Sequence, residues 1–431
     1  MSKLTVIGAG LAGCEAAWAL ANSGFKVALY EMKPKKYTPA HHYEGFAELV
    51  CSNSLKAARV SSACGMLKAE MEILGSLILE AASHTSVPAG GALAVNRRDF
   101  SDYITEKIKS HPNIEVVSEE VTEFPEKNTV IATGPLTSDL MAKAIGEKCG
   151  EYLSFFDAAA PIVTFDSIDM TKAFFATRYD KGEADYINCP MNKQEYEDFY
   201  NALVNAETVE LKEFEKQGLT VYEGCMPVEV LAKRGAESVR YGCMKPVGLI
   251  DPRTGHRPWA AVQLRKENTE GSTYNLVGFQ TNLKFPEQQR VFRMIPGLEN
   301  AEFARCGVMH RNTFLNSPKL LNSRFMLKGS ENVYFAGQMT GVEGYVESAM
   351  SGIVAGQSLA RSLKGLPPLN LPAVTMCGAL CNYVEAENEN FQPMGANMGI
   401  LPPLEEHIKN KQERYEKIAQ RGLEALINAG N

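Results

Sequence analysis

An α/β fold, its first sheet assembled from two distant parts of the chain around an inserted second domain, is what this sequence predicts. Three observations carry that expectation. A short apolar strand runs into a glycine-rich turn and a small-residue helix over residues 3–24. The same strand, turn and helix texture returns near 331–361. Between them, strand-like runs alternate with a charged helix and with loops rich in Pro, Gly and Arg. The economical division gives residues 1–160 and 326–431 to one discontinuous domain and 161–325 to an inserted α/β domain.

Taken in order, residues 3–8 (KLTVIG) predict a buried strand, 8–13 (GAGLAG) a turn, 14–24 a helix closed by Gly24, and 26–32 (KVALYEM) a second strand. This is a βαβ opening. A polar stretch, 33–48, follows. Apolar positions at helical spacing predict one helical region over 62–82, and an amphipathic helix over 96–112 that Pro112 stops. "IEVVSEEVTEF" and residues 128–135 (NTVIATGP) read as strands, the second running into a Thr133-Gly134-Pro135 turn. Within the insertion, 160–165 and 274–280 read as strands and 193–217 as a charged helix; a last helix is expected over 403–428.

In G-x-G-x-x-G the first glycine makes a tight turn, the second lets backbone approach a pyrophosphate, and the third lets helix pack on strand. Gly8, Gly10 and Gly13 fill those places, with Ala9, Leu11 and Ala12 between them. Glu31, 18 positions past Gly13 at the end of the second strand, is placed to accept from a ribose hydroxyl. Together these predict a dinucleotide site. FAD is favoured over NAD, because the chain holds one such fingerprint and lacks the redox disulfide of a two-nucleotide reductase. The second small-residue cluster, Gly337 to Gly341, leads into a helix whose N-terminus suits a flavin ring.

With 431 residues, 45% hydrophobic and 22% charged, the chain is long enough for two cores. A net charge of −7 argues against non-specific coating of nucleic acid, so any RNA must be met by a local basic surface. Ten cysteines form no framework, and no signal peptide or membrane-length apolar run stands out; reduced thiols, no membrane and a cytoplasmic location are expected. Cys377 and Cys381 in "CGALC" have no partner pair, so no metal is expected. Cys14, Cys149, Cys189, Cys243 and Cys306 have helical or apolar settings and read with that pair as filler, whereas Cys64 is undecided. Two cysteines differ. Cys51 in "ELVCSNSLKA" and Cys225 in "VYEGCMPVEVLAKRG" sit among polar residues in turns with cations nearby, the setting in which a thiol ionises and attacks.

Those two segments, with "VIGAGLAGCEAAWALA", "GALAVNRRDF", "MKPVGLIDPRTG", "AVQLRKEN", "ARCGVMHRNTFLNSP", "YFAGQMTGVEGYVESAMSG" and "NFQPMGANMGILPPL", resemble the folate- and FAD-dependent tRNA uracil-5 methyltransferases from near residue 4 to about 404. The resemblance implies a glutathione-reductase-like FAD-binding Rossmann domain with an insertion. It also implies a reaction: 5,10-methylenetetrahydrofolate supplies a one-carbon unit to a T-loop uridine of tRNA, in the T-arm, giving ribothymidine, and NAD(P)H re-reduces the FAD. Cys51 and Cys225 match the family's two functional cysteines. C5 of uracil becomes nucleophilic only when a thiolate adds at C6, and a base must then take the C5 proton. The sequence does not say which cysteine does which, although Cys225 is preferred as nucleophile because it lies in the insertion that would hold RNA.

Other residues keep two readings. His310 in "GVMHRNTF" is a structural histidine on residue type alone, while the resemblance implies a pterin stacked between it and the flavin. Tyr345 contacts the flavin or fills the core, and Arg97 reaches the cofactor or caps a surface helix. The stretch 233–266 gathers Lys233, Arg234, Arg240, Lys245, Arg253, His256, Arg257, Arg265 and Lys266 with Tyr241 and Trp259, an RNA surface or a solvated face. Lys33, Lys35 and Lys36 read as solvated. The rival functions are the same chemistry on 23S ribosomal RNA, an FAD oxidoreductase acting on a small molecule, and a non-catalytic RNA-binding flavoprotein. Oligomeric state is not written in the sequence.

Overall fold

Short apolar strands separated by helices build a five-stranded sheet whose strand order is not that of the chain. Side by side lie β16 (Glu331–Phe335), β7 (Lys127–Ile131), β1 (Leu4–Ile7), β2 (Val27–Tyr30) and β6 (Ile114–Val117), all parallel. A strand from residue 331 thus pairs with one from residue 127, and the sheet is complete only after the chain has left and returned. The computed structural model describes residues 3–38, 40–150, 153–158, 160–180, 184–209, 226–307, 309–389 and 391–430, and at 153–158, 180 and 309–313 the backbone alone.

Parallel neighbours need crossovers, and helices supply them. α1 (Leu11–Asn22) links β1 to β2 and is crossed by α11 (Tyr345–Leu363). A Cβ on Gly352 would lie 2.1 Å from the Ala12 carbonyl oxygen and one on Gly356 2.8 Å from that of Ala16, so glycine alone allows this approach. The helical region expected over 62–82 is two helices, α2 (Ala63–Ile73) and α3 (Leu77–His84). The break comes at Gly75, with φ +81°. Ser76 then caps α3 by accepting from Leu79 N–H, and the buried Glu15 carboxylate of α1 accepts from the Leu77 and Ile78 amides. α4 (Arg97–Ser110) is capped by Asn96, which accepts from the Arg98 and Asp99 amides, and it ends before Pro112. α5 (Asp139–Cys149) follows β7. A small antiparallel sheet, β3 (Ser54–Ala57), β5 (Ala92–Val95) and β4 (Ser86–Val87), starts directly after Cys51.

The middle of the chain forms a six-stranded antiparallel sheet. Its order is β10 (Phe174–Phe175), β11 (Tyr186–Met191), β12 (Ala260–Lys266), β13 (Thr273–Leu276), β9 (Ile162–Thr164) and β14 (Phe303–Arg305). α6 (Lys193–Val204) packs Tyr196, Phe199 and Leu203 into its core, beside α7 (Val228–Lys233), α8 (Ala236–Tyr241) and α9 (Phe285–Phe292). The helix expected over 193–217 therefore ends at Val204, with Asn205 as its C-cap; 210–217 lie outside the described residues. β8 (Leu153–Ala158) and β15 (Met309–Phe314), which flank this sheet in sequence, pair antiparallel.

Two large hydrophobic cores result among the described residues. One draws on residues from Leu4 to Ile145 and again from Leu315 to Leu426, and the other on Val163 to Ala301. The short α10 (Ser317–Leu320), α12 (Met376–Glu385) and α13 (Lys411–Asn428) complete the first. α13 starts eight residues later than expected. Pro402 and Pro403 bring no amide protons to a helix, and their carbonyls accept from Arg421 instead.

Candidate active site

The glycine loop is shaped by what surrounds it. Gly8 turns with φ +97°, and a Cβ there would meet the Ala132 carbonyl oxygen at 2.5 Å; one on Gly13 would sit 1.7 Å from the Gly8 carbonyl oxygen. Gly10, the N-cap of α1, faces open space and leaves the helix without a side-chain cap. An uncapped N-terminus beside open space is an anion site. The Glu31 carboxylate pins the loop by accepting from Ala9 N–H at 2.8 Å, and it also accepts from Lys33 N–H at 3.0 Å. A cleft runs along Gly8–Ala12, past Glu31 and Thr133–Leu136, to Val50, Gly337, Gln338 and Tyr345. There α11 points in a second N-terminus, N-capped by Gly344 and again without a side-chain cap. These residues fit a dinucleotide.

Cys51 stands at the α11 end. Tyr345, the first residue of α11, accepts at its hydroxyl from the Cys51 amide at 2.8 Å and the Ser52 amide at 3.3 Å, and lies 2.9 Å from Cys51 Sγ. Burial pushes the phenol well above its ordinary pKa. Because two amides already donate to the oxygen of this protonated phenol, its hydrogen is the one directed at sulfur.

Three arginines from different elements clamp the same loop. Arg97 of α4 donates to the Leu49 carbonyl at 2.5 Å, and Arg305 of β14 to the Val50 carbonyl at 2.9 Å. Arg265 of β12 donates to Ser52 Oγ at 2.7 Å and to Asn53 Oδ1 at 3.0 Å. Asn53 in turn donates to the Val95 and Lys266 carbonyls. Glu267, 5% exposed, pairs with Arg97 at 2.6 Å. The second core thus holds the loop of the first.

The sequence pattern of the family described as Glucose inhibited division protein A matches residues 3–367. A protein of Acetivibrio thermocellus named "Methylenetetrahydrofolate--tRNA-(uracil-5-)-methyltransferase TrmFO" is 59% identical over 426 residues, 98% of this chain and 97% of that protein. Proteins of the same name from Brevibacillus brevis and Bacillus licheniformis are 56% and 57% identical over 427 residues, 99% of this chain and 97% and 98% of those proteins. The chain belongs to the TrmFO family. The solved structure of Aquifex aeolicus GidA, 16% identical, superposes over 99% of this chain and 73% of its own with a TM-score of 0.71. The fold is accordingly of the Rossmann-like FAD-binding class.

In this TrmFO-family chain the expected site residues are partly gathered. Gly8, Ala9, Gly10, Leu11, Ala12, Glu31, Gly337 and Tyr345 line the cleft, and Cys51 touches Tyr345. Gly13 serves packing under the loop, and Gly341, with φ +84°, leaves room for the Phe391 ring, 2.4 Å from where its Cβ would be. Cys225 lies outside the described residues, and His310 is described by its backbone in β15 alone. Arg97 neither reaches along the cleft nor caps a surface: it is the Glu267 partner that holds Leu49. Arg265 is no RNA contact, being 7% exposed and committed to Ser52 and Asn53. Arg240 lies 3.8 Å over the Trp259 ring, and Arg253 pairs with Asp251. Lys33 is not solvated; it is 6% exposed and donates to the Tyr43 and Gly45 carbonyls. Lys35 is exposed, and Lys36 pairs with Glu120.

Sequence reasoning missed Arg305, Glu267 and the clamp role of Arg265. Arg265 and Glu267 had one signal, polarity inside the strand-like "AVQLRKEN", where a buried strand has no need of charge, and Arg305 lies outside that run. Cys14, Cys189, Cys377 and Cys381 are buried, and burial raises each thiol. Among the described residues no three His, Cys, Asp or Glu side chains gather to hold a metal, and no helix is long and apolar enough to cross a membrane.

Proposed function

We propose that the chain catalyses the transfer of a one-carbon unit from 5,10-methylenetetrahydrofolate to C5 of a uridine in tRNA, at the T-loop, forming ribothymidine. The observation that carries this reading is a cysteine, Cys51, set on a tyrosine hydroxyl at the end of a dinucleotide cleft, in a chain matching TrmFO relatives along its whole length. FAD, when bound, supplies the electrons that complete the methyl group, and NAD(P)H restores them. The α1 N-terminus and Gly10 would hold its pyrophosphate, Glu31 its ribose, and the α11 N-terminus its ring.

The chain's own residues do the rest. Two thiols divide two jobs, addition at uracil C6 and removal of the C5 proton, and Cys51 takes one of them with Cys225 as its partner. The Tyr345 hydroxyl supports charge on Cys51 by donating to sulfur, and the clamp fixes Leu49 to Asn53 so that the thiol keeps one position. We assign residues 1–160 and 326–431 to the FAD-binding domain and 161–325 to the part that meets RNA, where Tyr241, Lys245, His256 and Arg257 are each exposed. The test is incubation of the FAD-loaded protein with unmodified tRNA, methylenetetrahydrofolate and NADPH, followed by mass spectrometry of the nucleosides. Formation of 5-methyluridine in the T-loop is expected; its absence would refute the reading.

A further inference from the structure

Arg305 uses a single donor. Its Nη1 reaches the Val50 carbonyl at 2.9 Å, while Nε and Nη2 are buried and meet no acceptor among the described residues. Leaving two charged donors unmatched away from water is costly and calls for a reason. Neighbouring charge sharpens the point. Arg97 and Arg265 hold the same loop, and the Glu267 carboxylate, which pairs with Arg97, also acts on Arg305. Among the described residues the Cys51 loop is therefore held by more positive than negative charge, and the group within it able to become an anion is the thiol.

We propose that Arg305 is a positioning residue that holds Cys51 as a thiolate at neutral pH, with Arg97 as its neutralised companion. Cys51 and Arg305 are close enough that an ionised thiol favours the Arg305 cation, which burial and the Arg97 charge oppose; attraction between two charges is mutual, so the cation favours the thiolate. Other charged groups around the loop are already matched. Lys33 and Glu48 pair at 3.6 Å on the cleft side, Lys56 and Glu347 pair at 2.8 Å beyond Tyr345, and Tyr345 itself stays protonated. Arg305 is then to Cys51 what a flanking cation is to a reactive thiol generally, delivered from the second core only when the two cores are docked.

The inference rests on the proposed role of Cys51 in methyl transfer, but its test needs neither RNA nor folate. FAD-loaded wild type, Arg305→Gln, Arg305→Lys and Glu267→Gln are alkylated with iodoacetamide from pH 5.5 to 9.5, and the Cys51 peptide is quantified by mass spectrometry. Arg305→Gln should raise the alkylation midpoint by about one pH unit, a roughly two- to fivefold slower reaction at pH 7. Arg305→Lys, which keeps charge without the planar fork, should stay near wild type, and Glu267→Gln should move the midpoint down. Cys377 and Cys381 serve as the folding control, since buried thiols remain unreactive in an intact chain. Midpoints that coincide in all four proteins would overturn the proposal, as would a lysine variant that behaves like the glutamine one. If Arg305→Gln exposes Cys377, the lysine and Glu267 variants decide. A shifted midpoint in a wild type that makes no 5-methyluridine would refute the proposed function and leave the Arg305 role standing.

Discussion

At the scale of single residues, the site turns on groups whose neighbours were invisible in the sequence. Cys51 stood out there because it sits among polar residues, but its partner Tyr345 is 294 positions away and reads equally well as core. Tyr345→Phe removes the acceptor for two amides and the donor to sulfur. It should cost about 1–3 kcal/mol of stability, read by urea unfolding, and slow methyl transfer more at pH 6.5 than at pH 8.5, where a thiol needs less help from the hydroxyl to ionise. A second buried group makes a separate prediction. Glu70 accepts from the Met376 and Cys377 amides at the start of α12, and burial pushes its carboxyl from 4.5 up to about 7. The folded chain therefore keeps a proton that the unfolded chain has released. Stability from this group is full below pH 4.5 and is lost as pH rises through 7. Compared with Glu70→Gln, which cannot titrate, wild type should lose on the order of 2–3 kcal/mol more between pH 4.5 and pH 8 in denaturant titrations.

At the scale of elements, periodicity and glycine spacing located most strands and helices of the parallel sheet, and they failed where a tertiary contact intervened. The apolar pattern over 62–82 has no interruption a period count would notice; Gly75 breaks it because Glu15, from another helix, supplies the cap for a new start at Leu77. The same blindness overextended the helix at 193 and started the last one too early. The glycines of α11 were legible as small residues but not as contacts. Gly352→Ala puts a methyl 2.1 Å from the Ala12 carbonyl oxygen, and α1 carries the phosphate loop. It should destabilise by about 1–3 kcal/mol and weaken FAD retention at least tenfold, measured by flavin release on dilution. An unchanged melting temperature and flavin content would show that the helices move apart freely.

Across the whole molecule, the texture change near 160 and the return near 331 made the second core readable, whereas the three-arginine clamp joining the cores did not show, because no local pattern marks a residue that pairs across 212 positions. The basic stretch 233–266 was overread as one surface: burial withdraws Arg265, and Asp251 and Trp259 engage Arg253 and Arg240. Lys233, Arg234, Lys245, His256 and Arg257 remain exposed, as does Tyr241, 61% exposed, on a chain of net charge −7. Lys245→Glu with Arg257→Glu should weaken tRNA binding and lower the slope of log Kd against log salt by about 2, with flavin content unchanged. A slope equal to that of wild type would take RNA off this face.

The central claim is that Cys51 takes part in moving a folate-borne carbon onto tRNA, and a single-turnover label experiment tests it most directly. Methylenetetrahydrofolate carrying carbon-13 in its methylene group is mixed with reduced, FAD-loaded wild type or Cys51→Ala and unmodified tRNA, and the 5-methyluridine is weighed. Wild type should place the label in the methyl group, and Cys51→Ala, yellow before reduction and folded, should place none. Label transferred at the wild-type rate by Cys51→Ala would contradict the account.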